Sequence, residues 1–208
     1  MVTSRYYIFD LFGTLITGSG AEIMYAEALN GLFPGLKHWN VNQYINTKDF
    51  GSAEMCISKA LEYFNITATS EQLKKFEEII NSWKKEVHMY DEVEEVITGL
   101  KKRGAKLGMI TNDSNIIAGF IEKFGLEKYF DVIISSYKVG MAKPDPRIYE
   151  LCVEKLGAQM SEVIMIGDRL DRDVEPPNKL GMRGILYDPE QKNAYYPDRI
   201  SNLKELLD

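Results

Sequence analysis

Apolar positions along the chain fall into two kinds of pattern. Five short runs lack polar alternation: YYIF before Asp10, KLGMIT ending at Thr111, DVIIS ending at Ser135, VIMIG ending at Gly167 and GILY ending at Tyr187. Strands buried on both faces require such runs, because both sets of alternating side chains then meet a core. The stretches between the last four runs have the length and periodicity of helices. The chain therefore predicts repeated strand–helix units and an α/β fold with a parallel sheet.

The second pattern fills the roughly ninety residues between the first and second runs, far more than one crossover needs. Leu73, Phe76, Ile80, Trp83 and Val87 recur at helical spacing, and Thr69 with Gln72 has the form of a capping box at the start. Ile57, Leu61 and Phe64 make a second stripe, and Met24 or Tyr25 with Ala28 and Leu32 a third. The expectation is a helical insertion over 17–88, returning through HMYDEV, with 1–16 and 89–208 forming the sheet domain. Its aromatic residues Tyr25, Phe33, Trp39, Tyr44, Tyr63 and Trp83 are expected mostly in its core.

Composition narrows the partners. A 208-residue chain with 27% charged residues and a net charge of −6 makes nucleic acid a poor default partner and leaves small ligands open. Cys56 and Cys152 belong to no CxxC or Cys/His cluster and read as core thiols in a reducing cytosol. No apolar run has the length of a membrane span, and the first residues lack a basic segment followed by an apolar one. A cytoplasmic protein with no membrane partner is expected; the oligomeric state is not legible.

Ligands of a parallel sheet bind at the carboxyl ends of its strands, and there the unusual polar residues fall. Asp10 ends the first run, Thr111, Asn112 and Asp113 end the second, Lys143 follows the third, and Asp168, Asp171 and Asp173 follow the fourth. A carboxylate nucleophile, a hydroxyl beside backbone amides, an ammonium and a group of acidic metal ligands are the parts phosphoryl transfer uses. Carboxylates gathered at one edge repel unless a cation joins them, and an oxygen-only set without imidazole or thiolate suits Mg²⁺.

The segments FDLFGTL, ITND, KPDP and GDRLDRD, in that order, resemble the four motifs of the haloacid dehalogenase superfamily of aspartate-nucleophile hydrolases. The resemblance covers nearly the whole chain, and the helical insertion is similar to the family's C1-type cap. It implies a Rossmann-like core with strand order 5-4-1-2-3, an aspartyl-phosphate intermediate and a small phosphorylated substrate. By the same resemblance Asp10 is nucleophile and metal ligand, the backbone carbonyl of Phe12 a second ligand, and Asp168 and Asp173 the acidic ligands, with Asp171 the alternative to Asp173. Thr111 and Lys143 are the catalytic hydroxyl and lysine, and with Asn112 they bind substrate.

Phe12 departs from the pattern. Phosphatases of this superfamily usually carry a second aspartate there, to protonate the leaving group and activate water. Three readings follow: a phosphatase restricted to stable leaving groups, a haloacid dehalogenase proper, or a non-catalytic member that binds a ligand or partner. Dehalogenases of the family have an aromatic residue at this position but lack the acidic fourth motif present here. His38 and His88 show no catalytic pattern, and Lys138 stands where many relatives are acidic.

Overall fold

The computed structural model describes residues 4–17, 28–33, 36 and 38–208, with His38 and Trp39 described by backbone alone. Met24 and Tyr25, expected to start a helical stripe, lie outside the described residues, as do the side chains of His38 and Trp39. Six strands form one parallel sheet in the order β3-β2-β1-β4-β5-β6. These are β1 (Tyr6–Phe9), β2 (Lys106–Thr111), β3 (Val132–Ser135), β4 (Val163–Gly167), β5 (Arg183–Tyr187) and β6 (Arg199–Ile200). The first five coincide with the five apolar runs to within a residue, and the fold is the Rossmann-like α/β arrangement expected.

The unbroken apolar runs are explained by a core on each face. Tyr7, Phe9, Leu107, Met109, Ile164 and Ile166 feed one cluster, while Ile8, Ile110, Val163 and Met165 feed another with Tyr149, Cys152 and Leu156. Alternate residues of one strand thus enter different cores, as the two-residue repeat of a strand demands. The helix α6 (Pro146–Leu156) covers the second face, starting at Asp145, whose side chain accepts from the Arg147 amide. The helix α4 (Val93–Lys102) buries Val93, Val96, Ile97 and Leu100 on the other.

Two features differ from expectation. Between β2 and β3 there is only one helical turn, α5 (Phe120–Lys123). It starts at Gly119, whose φ of 101° lies in the left-handed region that glycine tolerates. The residues before it are diverted: Ile116 and Ile117 leave the sheet domain to join the insertion's core. The strand β6, only two residues long, is too short for any periodicity to reveal; it pairs with β5 and is flanked by the Arg183–Asp198 ion pair at 2.7 Å.

Besides helical residues 28–32, the described part of the insertion holds α1 (His38–Ile45), α2 (Ala53–Tyr63) and α3 (Ser70–Glu86). Ser52 caps α2, and the expected Thr69–Gln72 capping box starts α3 with both reciprocal bonds formed. Their core is separate from the sheet's, built on Phe33, Val41, Ile45, Cys56, Ile57, Leu61, Phe76 and Ile80. Tyr63 is not part of it: at the last position of α2 it is 60% exposed and stacks on Tyr44 with ring centroids 4.2 Å apart. The chain leaves and re-enters the sheet domain through paired antiparallel segments. Thr17 donates to the His88 carbonyl at 2.8 Å, Tyr90 to that of Leu15 at 3.1 Å, and Ile16 bridges Met89.

The sheet also carries a tight fit at Gly167. A Cβ there would lie 2.3 Å from Cγ of Asp173, so only glycine lets that carboxylate tuck against the end of β4. Gly167→Ala is expected to destabilise the protein by about 1–3 kcal/mol, the usual cost of overpacking, read as a lower urea midpoint; an unchanged midpoint would show that the segment after β4 shifts freely.

Candidate active site

The sheet gathers the predicted residues at its carboxyl edge. Asp10 follows β1 and is fixed by its own amide, which donates to the Ile166 carbonyl of β4 at 2.9 Å. Asp168 follows β4, and the next residues, Leu170–Val174, form a turn of π-helix. The wider turn, closed by the Glu175 amide on the Leu170 carbonyl, brings Asp173 back beneath Gly167, where it is wholly buried. One oxygen each from Asp10, Asp168 and Asp173 lie within 4.8 Å of one another.

Lys143 answers the charge problem directly. It is 4% exposed, and its Nζ donates to Asp10 Oδ1 and Asp173 Oδ1, each at 2.6 Å. Burial disfavours its charge, but the two carboxylates more than offset that, so its pKa is raised. Its backbone is held as firmly: the Lys143 amide donates to Asn112 Oδ1, and Asn112 Nδ2 donates to the Lys143 carbonyl, both at 2.8 Å. The side chain of Asn112 thus ties the loop after β3 to the end of β2. Asp173 also accepts from the Arg169 amide at 3.1 Å. Its pKa is about 6, raised by burial and by Asp10 and held down by Lys143.

Asp168 is left without a direct partner. Among the described residues none donates a hydrogen bond to it, and its pKa is pushed to about 8 by burial and then by Asp10 and Asp173. The Thr111 hydroxyl is also orphaned: fully buried at the end of β2, it has no hydrogen-bond partner among the described residues, as is true of Thr14. Native interiors rarely leave such groups unpaired.

Other expected residues stand apart. The Asp171 side chain is 57% exposed and pairs with Arg169 at 3.1 Å, outside the cluster. Lys138 is exposed, 5.7 Å above the Tyr137 ring. His88 is exposed in the hinge, where its amide donates to the Thr17 hydroxyl at 3.0 Å. Cys56 and Cys152 are buried free thiols, each pushed up to about 12 by burial. The Phe12 ring is turned to other rings, stacked on Trp83 at 6.1 Å and edge-on to Phe120 at 5.6 Å.

Two residues of the TNDSN segment carry more than their sequence suggested. Asp113 is 4% exposed and accepts from the Ser114 amide at 2.7 Å. Asn115 reaches the insertion, accepting from the Phe50 amide at 2.8 Å and donating to Asp49 at 2.9 Å. The only sequence sign of this was the apolar pair Ile116–Ile117 in what otherwise reads as a polar loop.

A parallel α/β sheet with a lysine-bridged aspartate cluster at its carboxyl edge defines an enzyme-like site of the acid-rich hydrolase class. The model of the haloacid dehalogenase-like hydrolases matches residues 5–181, and the chain belongs to that family. A glyceraldehyde 3-phosphate phosphatase of Methanopyrus kandleri is 33% identical over 130 residues, 57% of this chain and 55% of that protein. The chain spans about half the length of the curated relatives it matches first. Among solved structures, a 2-haloacid dehalogenase from Pseudomonas syringae superposes with a TM-score of 0.69 at 22% identity, covering 98% of this chain and 96% of that one. A family enzyme from Bacteroides thetaiotaomicron, in complex with magnesium and inorganic phosphate, superposes with a TM-score of 0.63 at 16% identity, covering 89% and 94%. At these identities the superpositions show the fold.

Burial makes the site sensitive to pH. Desolvation raises the Asp113 carboxyl from the usual 3.8 to about 7, with the Ser114 amide and then Lys138 and Lys84 opposing. The folded state therefore holds this proton more tightly than the unfolded chain, so stability falls as pH rises from the unfolded value through the folded one. The loss is on the order of a few kcal/mol for a shift of this size. Asp113→Asn, which keeps the acceptor for Ser114, is expected to melt higher than wild type at pH 8 and to differ little at pH 4; parallel melting curves across that range would overturn the assignment.

Proposed function

We propose that the protein is a Mg²⁺-dependent phosphatase that removes phosphate from a small metabolite through an aspartyl-phosphate on Asp10. The observation that carries this reading is the cluster of Asp10, Asp168 and Asp173, three hard oxygen donors within 4.8 Å, with no hydrogen bond donated to Asp168 among the described residues. Such a set fits Mg²⁺, with the Phe12 carbonyl as a further ligand. Bound there, Mg²⁺ supplies positive charge that lets a phosphate dianion approach a carboxylate.

The chain's own groups account for the rest. An Asp10 oxygen attacks phosphorus, the P–O bond to the leaving group breaks, and that oxygen departs with the electron pair. Lys143 turns from its carboxylates toward the transferring oxygens, and the Thr111 hydroxyl gains the partner it lacks. Water then attacks phosphorus, the Asp10–phosphorus bond breaks, and the proton of the water passes to phosphate or solvent. Asn112 holds Lys143 in position and borders the substrate.

The helical insertion, taken as 17–88, is read as a cap that excludes water and selects the substrate. The acidic fourth motif favours a phosphatase over a metal-free dehalogenase. Among the described residues no helix is long and apolar enough to cross a membrane. The net charge of −6 supports a small metabolite over nucleic acid as the ligand, and the setting proposed is the cytoplasm.

Phosphate release from a metabolite panel with and without Mg²⁺, beside chloride release from 2-haloacids, tests the reading. Asp10→Asn is expected to fold normally and to lose on the order of 10⁴-fold or more in turnover. Chloride release without phosphate release would overturn the assignment, as would full phosphatase activity in Asp10→Asn.

Phe12 gives a second prediction. With no proton to donate, wild-type rates should fall steeply as leaving-group pKa rises, aryl and acyl phosphates reacting far faster than alkyl ones. A restored acid in Phe12→Asp is worth about 10²–10⁴-fold where the leaving group needs a proton, so this variant should flatten the dependence. Equal wild-type rates on aryl and alkyl phosphates, with chemistry rate-limiting, would mean another group donates the proton.

A further inference from the structure

The two cores exchange side chains along the seam between insertion and sheet domain. The helix α3 divides its apolar stripe: Phe76 and Ile80 enter the insertion's core, whereas Trp83 and Val87, further along the same helix, join the sheet domain's. In return Ile116, 1% exposed and directly downstream of the Thr111 motif, is buried in the insertion's core.

Two residues after the nucleophile the contact is aromatic. The Phe12 ring lies on Trp83 with planes inclined by 28° and meets Phe120 at 87°. Trp83 in turn meets Phe120 edge-on at 5.4 Å, and Phe120 stacks on Phe124 at 6.2 Å. Each side of this triangle has a centroid spacing at which rings attract beyond simple burial. Phe12 and Trp83 are only partly buried, so the contact can open to water.

We infer that Phe12 is the seat on which the insertion closes: a positioning residue that holds α3 over the strand bearing Asp10 through Trp83, with Phe120 as the fixed third ring. A carboxylate at this position could not stack on Trp83 or meet Phe120 edge-on as the ring does. The position that could have carried a proton donor thus carries a closing contact. Ring pairs of this kind shift an open–closed equilibrium by roughly two- to twelvefold. The inference rests on the reading of the insertion as a cap, but its test does not depend on turnover.

The chain has two tryptophans, so in Trp39→Phe protein Trp83 reports alone. Its emission and acrylamide quenching are measured with Phe12 intact and in Phe12→Ala and Phe12→Leu. Phe12→Ala should shift the emission to the red and raise quenching severalfold, with Phe12→Leu intermediate and the far-ultraviolet dichroism unchanged; protease cleavage in the hinge segments 15–17 and 88–90 should rise in parallel. Unchanged quenching and cleavage in folded Phe12→Ala would overturn the inference, and if that variant does not fold, unchanged values in Phe12→Leu would do the same. On an aryl phosphate, Trp83→Ala should raise KM more than it lowers kcat, and adding Phe12→Ala should change little further; independent, multiplicative effects would count against a shared contact. Failure to hydrolyse any phosphate ester would remove the phosphatase reading while leaving the fluorescence result to decide the seat.

Discussion

Concentrated negative charge at the carboxyl edge of the sheet is the constraint on which the rest of this structure depends. Asp10 and Asp173 are almost entirely buried and Asp168 is partly so, and an unpaired charge in such surroundings is too costly to keep. The ammonium of Lys143 satisfies two of the three. Much of the local architecture serves that arrangement: the glycine ending β4 makes room for Asp173, the π-turn swings it inward, and Asn112 clamps the backbone from which Lys143 reaches across.

The same constraint leaves the pairing uneven. Lys143 touches Asp10 and Asp173, but among the described residues no hydrogen bond reaches Asp168. At the end of β2 the buried Thr111 hydroxyl has no hydrogen-bond partner among the described residues. A divalent cation and a phosphate oxygen, as in the function proposed, would resolve both deficits together.

The segment after β2 joins the site to the insertion. Within a few residues it provides Thr111 at the end of β2, Asn112 at the Lys143 loop, Asn115 on the Asp49–Phe50 turn and Ile116 in the insertion's core. A displacement of the insertion would therefore be felt at both the hydroxyl and the ammonium. Phe12 makes a second link to the insertion, through rings rather than hydrogen bonds.

The sequence by itself determined the first five strands, their burial on both faces, the α3 capping box and the acidic residues meeting at the carboxyl edge, because these follow from local periodicity and from one rule about parallel sheets. It could not show which carboxylate is paired and which is not: Asp171 and Asp173 are equivalent in a string of letters, and only the π-turn places one inside and the other in water. Nor could it show where Asn112, Ile116 and Phe12 turn. Each is local in sequence to the catalytic motifs, yet each is satisfied by a partner at least 31 residues distant along the chain, as Asn112 is by Lys143 and Phe12 by Trp83. Such pairings are decided by how two separately folded cores meet.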